Sequence, residues 1–429
     1  MTHSKFHSFI LSAALICLFA APAAAQRYTA KQNGNLIELW DNTAQMNVSV
    51  VPSISDAWKI EVKGQSLTRK PTGTLEDFIA RPGLAGMPFL APFANRLDET
   101  AFYANGKKYN FDLELGNVRG PIPGTGFVNG NTHDWKLVEF KADSKSAWVT
   151  CKLDFYRNPQ FMKQFPFAHT VTMTYRVSEG ALEVHTRLDN LSNEPMPVVI
   201  GFHPIYELPD GNRNNWTVST DAKTHWIEIP QRLPTGETQP IEKFFGGDRK
   251  AIQLKNYALI DDVFTDLDRD ANGRATVKLM YNGKELHEIL GPKYKTLLMW
   301  STPLNAGGGG GGGRGGGQGA AGGGRGQGAA GAAGGAAAAP APQPSGPFPV
   351  DPAQGVRIAP PAVAPNPAPV PPAAGTPAGQ PNKGFIAFEP MVAITDALNL
   401  AHKGVYKDLQ SIPPGGSWEE SFWVTTKGY

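Results

Sequence analysis

The chain has little of what would place it in several large protein classes. It carries two cysteines in 429 residues, and Cys17 falls in a stretch that reads as a removable leader, so Cys151 stands alone afterwards. No intramolecular disulfide is then possible, and stability must come from a packed core. Charge of one sign is also lacking: the formal net charge is +2, and loss of the leader with Lys5 leaves +1. A nearly neutral chain gives no argument for nucleic acid or a membrane surface as partner, and the expected partner is small and uncharged. The apolar run Phe9 to Ala21 is too short for a spanning helix. Past Arg27, apolar residues show little helical periodicity, and no helical stretch of convincing length is expected.

Two segments are set aside before any fold is argued. Met1 to Ala25 combines a short basic start at Lys5, the apolar run, and Ala23-Ala24-Ala25 before Gln26. This is the pattern of a secretory signal peptide, so a periplasmic or secreted location is expected. Cys17 lacks the small residues that precede a lipidated cysteine. The second segment, 306–382, runs from unbroken glycine through Gly/Ala/Gln/Arg to Pro/Ala. It has almost nothing to bury and is expected to be a disordered insertion, with polyproline character toward its end. Residues 26–305 and 383–429 remain, roughly 330 residues, and are expected to form a single domain around one large core.

What the remainder does have is a period of two. Met46, Val48 and Val50 alternate with Asn47 and Ser49; Val149, Cys151, Leu153 and Phe155 alternate with polar residues, as do Val171, Met173, Tyr175 and Val177, and then Leu182, Val184 and Leu188. Such series bury one side and wet the other, as in antiparallel sheets packed face to face. Turn signals separate them at Asn105-Gly106, Glu179-Gly180, Asn272-Gly273 and Asn282-Gly283. Many strands without intervening helices predict an all-β fold, a large antiparallel β-sandwich and not a βαβ fold. Cys151 sits on the apolar side of its strand and reads as a small core residue. Leu297-Leu298-Met299-Trp300 and Phe385-Ile386-Ala387-Phe388 read as consecutive strands whose connection the insertion has stretched, at a closure cost of only about 0.6 kcal/mol per doubling of length.

Two residues stand out chemically. The apolar run Met196 to Ile200 reads as a buried strand leading into Gly201-Phe202-His203-Pro204. It presents an imidazole from a rigid base, because the proline disfavours helix at His203. A histidine beside aromatics is also commonly a satisfied structural residue, and general acid or base chemistry needs a partner. Glu389 follows the strand Phe385 to Phe388 and precedes Pro390, a carboxylate delivered from a strand end, or else a solvated glutamate. Around them stand Ala94-Asn95-Arg96-Leu97, Thr125-Gly126-Phe127-Val128 with Trp135, Asp261-Asp262-Val263-Phe264, and Asp396-Ala397-Leu398-Asn399.

In its Pro92-Phe93-Ala94-Asn95-Arg96 segment followed by Gly106 and Tyr109, in Gly201-Phe202-His203-Pro204, and in Phe388-Glu389-Pro390 with the closing Ile412-Pro413-Pro414-Gly415, the chain resembles the aldose 1-epimerase (galactose mutarotase) family. The similarity covers nearly all of the chain outside the leader and insertion. It implies a β-supersandwich with a sugar bound across the concave face of one sheet, His203 as general acid, Glu389 as general base, and Arg96 and Asp261 as hydroxyl ligands, with Asn95 and Thr125 in the same substrate site. The chemistry is anomer exchange of a free aldose: one group takes the proton of the anomeric hydroxyl while another protonates the ring oxygen, and no metal or redox cofactor is called for. The acid and base are expected on opposite sides of the sugar. Phe127 or Trp300 offers a face for the sugar ring, core packing being the alternative duty.

One departure is visible. The family usually has histidine where this chain has Thr125, and arginine is common at Asn129; His133, in a longer loop, is a candidate to reach the vacated space. Thr125 hydrogen-bonds but carries no positive charge. A non-catalytic carbohydrate-binding protein of the same fold is therefore the alternative to the enzyme. A third reading, an epimerase of phosphorylated hexoses, would want a cluster of cations near the site.

Overall fold

Strand pairing decides the architecture, and it can be followed in a computed structural model that describes residues 26–69, 73–80, 85–112, 118–119, 122–124, 126–128, 132, 134–208, 211–303 and 384–429. The expected leader Met1 to Ala25, the segment 306–382, and Thr125, Asn129 and His133 lie outside the described residues. A nine-stranded sheet runs in the order Lys136–Ala142, Ala147–Leu153, His169–Ser178, Ala181–Asn190, Ser417–Lys427, Lys284–Leu290, Ala275–Tyr281, Thr217–Thr220, Ile252–Gln253. An eight-stranded sheet is built on Pro234–Pro240, Thr224–Glu228, Ile260–Thr265, Thr296–Pro303, Gly384–Met391, Gly201–Phe202 and Phe89–Leu90, with Ile205–Tyr206 also pairing Gly384–Met391. A five-stranded sheet of Tyr28–Asn33, Leu36–Asp41, Met46–Val51, Asp56–Val62 and Gln65–Ser66 stands beside them, with two-stranded pairs such as Ala101–Ala104 with Lys107–Asn110. All of these pairs are antiparallel, giving the large β-sandwich the alternation predicts.

The hairpin turns fall where the sequence marks them. Asn105-Gly106, Glu179-Gly180 and Asn282-Gly283 have positive φ at both positions and join adjacent strands, as two-residue hairpins of the right twist require. Asn272-Gly273 differs: it closes a loop ahead of Ala275–Tyr281, with the Gly273 N–H donating to the Asp270 carbonyl at 2.9 Å. The strand Met46–Val51 also departs from expectation, because both of its sides are buried. Asn47 and Ser49 are accommodated by bonding each other, and Asn47 also bonds the Leu39 carbonyl, which removes the cost of burying them. Helix is confined to short segments such as Pro159–Gln164 and Ala397–His402. Among the described residues no helix is long and apolar enough to cross a membrane. Cys151 is fully buried and its thiol is pushed up to about 12 by desolvation, the behaviour of a core residue and not a nucleophile.

Register fixes which side of the eight-stranded sheet faces outward. Phe202 packs on Phe422 of the nine-stranded sheet with ring centroids 4.9 Å apart, and the Tyr206 hydroxyl reaches across to the Glu288 carboxylate at 2.6 Å. Those residues point into the sandwich, so the alternate residues His203 and Ile205 point away from it. Directly paired residues of antiparallel strands share a face. Asp261 pairs Trp300, Trp300 pairs Ala387 and Ala387 pairs Ile205, forming one row; Val263, Leu298 and Glu389 form the next. The outer face of this sheet therefore carries His203, Glu389, Trp300 and Asp261 together.

Candidate active site

His203 and Glu389 meet. Their strands bring His203 Nε2 to 3.0 Å from Glu389 Oε1, with 7% and 4% of the respective side chains exposed. Glycine at 201 permits this approach: a Cβ there would lie 2.9 Å from both Ala94 Cβ and Met391 Cγ, closer than packed carbons tolerate. The His203 N–H donates to the Pro88 carbonyl at 3.0 Å, and that of Ile205 to Gly86 at 3.3 Å, which ties the imidazole's backbone to the neighbouring segment. Glu389 is not at a strand end as expected; it lies within Gly384–Met391, whose pairing with Thr296–Pro303 continues through Pro390 opposite Leu297. Nor do acid and base flank a hollow from opposite sides. They are adjacent on one face, because pairing of Ile205 with Ala387 leaves His203 and Glu389 side by side two residues further on.

Arg96 and Asp261 also converge. Arg96 Nη2 lies 3.6 Å from Asp261 Oδ2, and its Nη1 donates to Asn95 Oδ1 at 2.9 Å. Asn95 adopts the left-handed conformation, φ +61°, which asparagine tolerates better than most residues. The Arg96 carbonyl accepts from Asp396 N at 3.0 Å, and Asp396 Oδ1 accepts from Asp98 N at 3.1 Å. Burial, then the neighbouring Asp98, holds the Asp396 carboxyl well above the usual range, and its two backbone bonds make this acid a clasp on the Arg96 loop. Gly126 supports the same region: its φ is +59° and a Cβ would fall 2.3 Å from the Ala91 carbonyl oxygen. Phe127 packs among Phe155 and Phe161 and is core. Trp300 instead stands half-buried and edge-on to His203, ring centroids 5.3 Å apart.

The two neighbouring aspartates separate cleanly. Asp261 shares the outer row with Trp300, whereas Asp262 is bonded through Oδ1 to His225 Nε2 at 3.0 Å, with Gln239 at 3.1 Å on the other ring nitrogen. Asp262 Oδ2 also accepts the Asp261 N–H at 3.0 Å. Sequence reasoning missed Arg232, which lies 3.7 Å from Asp261, 3.6 Å from Asp262 and 3.8 Å from Glu228. Burial, then Asp262 and Asp261, pushes the Glu228 carboxyl far up, so Arg232 faces two aspartates and a glutamate that favours its proton. Arg232 has φ +63° at the end of the turn Ile229-Pro230-Gln231-Arg232, closed by its N–H donating to the Ile229 carbonyl at 2.8 Å; Pro230 signals the turn, but nothing local in the sequence shows that the arginine returns to Asp261. Among the described residues no group of three or more His, Cys, Asp or Glu is arranged to hold a metal ion.

The fold and its outer face define a β-sandwich with an imidazole and a carboxylate in contact beside an arginine–aspartate pair. The family model for aldose 1-epimerase matches residues 58–287, and the chain belongs to the aldose 1-epimerase family. Solved structures agree on the fold. A galactose mutarotase-like protein from Clostridium acetobutylicum is 18% identical over 94% of this chain and 98% of its own, with a TM-score of 0.64. The GalM/aldose epimerase homologue from C. elegans is 14% identical over 93% and 98%, TM-score 0.58. Galactose 1-epimerase from Lactobacillus acidophilus NCFM is 14% identical over 93% and 98%, TM-score 0.57.

Proposed function

We propose that this protein is an aldose 1-epimerase that interconverts the α and β anomers of a free aldose in the periplasm or outside the cell, with His203 as general acid and Glu389 as general base. We take 26–305 and 383–429 as its single catalytic domain. The observation that carries the reading is the 3.0 Å contact between His203 Nε2 and Glu389 Oε1 on the outer face of the family's fold. The anomeric hydroxyl oxygen and the ring oxygen are both bonded to C1, so two side chains that touch each other can reach both. Ionised Glu389 takes the hydroxyl proton while imidazolium His203 protonates the ring oxygen; the bond from C1 to the ring oxygen breaks and an aldehyde forms. Rotation about the C1–C2 bond presents the other carbonyl face. Closure then returns the protons, each group acting in reverse. Arg96 and Asp261 offer donors and an acceptor for sugar hydroxyls, and half-buried Trp300 an aromatic surface.

Polarimetry of freshly dissolved α-glucose and α-galactose tests the roles. His203→Ala and Glu389→Gln are expected to slow equilibration by about 10² to 10⁴-fold with the fold intact. Parent-like rates in both variants would overturn the assignment. The second reading, a sugar-binding protein without turnover, is favoured by Thr125 standing where the family usually has histidine. Calorimetric sugar binding by the parent, with no acceleration of mutarotation, would establish it instead.

A further inference from the structure

The outer face that carries the His203–Glu389 pair continues along the same strand. Glu389, Ala387 and Phe385 alternate on it, and four residues of strand span about 13 Å. The Phe385 ring meets Trp300 edge-on at 66°, centroids 4.5 Å apart, and Trp300 in turn meets His203. Over the Phe385 ring lies the guanidinium of Arg69, 4.8 Å from its centroid. The Arg69 N–H donates to the Ile205 carbonyl at 2.9 Å, so this arginine is tethered two residues from His203. Arg96 and Arg232 are both committed to Asp261. Arg69 differs: among the described residues no carboxylate lies within ion-pair distance of it.

We propose that Arg69, together with the Trp300 ring, forms a second subsite that holds an oxyanion on a sugar unit linked to the reacting aldose, so that the preferred substrate is the reducing end of an acidic oligosaccharide. This rests on the epimerase reading of the His203–Glu389 pair. In the proposed pose C1 and the ring oxygen sit at His203 and Glu389, an acid group next to the ring oxygen lies beside His203, and a unit joined through O4 runs away from C1 across Trp300 toward the guanidinium. An arginine stacked on an aromatic ring keeps its forked donors at the edge, oriented for a carboxylate or phosphate. Glycosidic cleavage of an acidic polysaccharide is the class of reaction that supplies such a substrate, since it frees a reducing end as a single anomer.

Matched probes decide the matter: cellobiose, cellobiouronic acid, which replaces the CH₂OH of the non-reducing unit by a carboxylate, and cellobiose 6′-phosphate. Anomer exchange by NMR and binding by calorimetry are measured for the parent, Arg69→Gln and Arg69→Lys at low and high salt. The expected result is about a tenfold preference for an acidic probe over cellobiose in the parent. It shrinks with salt, is partly kept in Arg69→Lys and is abolished in Arg69→Gln. Which acidic probe is preferred identifies the oxyanion. Equal handling of cellobiose and both acidic probes by the parent, or a preference that survives in Arg69→Gln, overturns the subsite. A binding preference without anomer exchange of any probe upholds the subsite and overturns the epimerase reading; anomer exchange without preference overturns the subsite alone.

Discussion

Replacing Asp56 by asparagine probes the backbone frame that carries His203. Asp56 opens the strand Asp56–Val62, is fully buried, and accepts the Met87 N–H through Oδ1 at 2.7 Å. Residues 86 and 88 flank that bond, and their carbonyls receive the Ile205 and His203 N–H groups. Burial pushes the Asp56 carboxyl from 3.8 up to about 7. The folded state therefore keeps a proton that the unfolded chain releases between about pH 4 and 7, and stability falls as pH rises through that window. Three pH units at about 1.4 kcal/mol each make the loss on the order of 4 kcal/mol. Asparagine keeps the acceptor and does not ionise. The stability of Asp56→Asn relative to the parent, from urea unfolding at fixed pH, is expected to improve by a few kcal/mol between pH 4 and 7 and then level off. His169 gives a control of opposite sign. Desolvation pushes its imidazole down to about 4 from 6.5, so its contribution is lost as pH falls through that range, and His169→Gln should gain on the parent toward pH 4. A relative stability of Asp56→Asn that stays constant from pH 4 to 7 would refute the buried-acid argument.

Three further outcomes are expected. Asp261→Asn should raise the KM for aldoses with little change in Tm, while Asp262→Asn should lower stability by about 1–3 kcal/mol by disturbing its bonds to His225 and the Asp261 N–H; the reverse pattern, read from kinetics and thermal unfolding, would exchange their roles. Gly126→Ala should destabilise by at least about 1–3 kcal/mol, since a left-handed residue acquires a Cβ 2.3 Å from the Ala91 carbonyl oxygen. Deleting Gly307 to Pro381 should leave anomer exchange and Tm near the parent values, because Pro303 and Gly384 are already paired neighbours and a shorter loop closes them at no greater entropic cost. A large loss of activity with an unchanged Tm would give that segment a part in the reaction.

Much of the fold could be read along the chain because strands and turns are local. The alternation at Val149 to Leu153 and at Val171 to Val177 reappears as alternating burial, and the three hairpin turns are written in Asn-Gly and Glu-Gly pairs that tolerate positive φ. The strands around Trp300 and Phe388 pair as expected. The motifs around Arg96, His203 and Glu389 pointed to the family, and the family model agrees. Other features were invisible for a physical reason. Burial of Asn47 and Ser49 depends on what covers a strand's second side, which no period of two records. Pro230 marks the turn that ends at Arg232, but not that this turn returns the arginine to Asp261, and the upward shift of the Asp396 carboxyl depends on desolvation that exists only after folding.

By itself the sequence determined the class of fold, the strands and several turns, because side-chain alternation and φ preferences act within a few residues. The tertiary structure decided which residues share a row: Ile205 opposite Ala387 sets His203 against Glu389, Trp300 opposite Asp261 sends Asp262 inward to His225, and Phe385 two residues beyond Ala387 carries Arg69. Register between strands far apart in the chain does this, since shifting any one of them by a single residue would turn its alternate side chains to the opposite face.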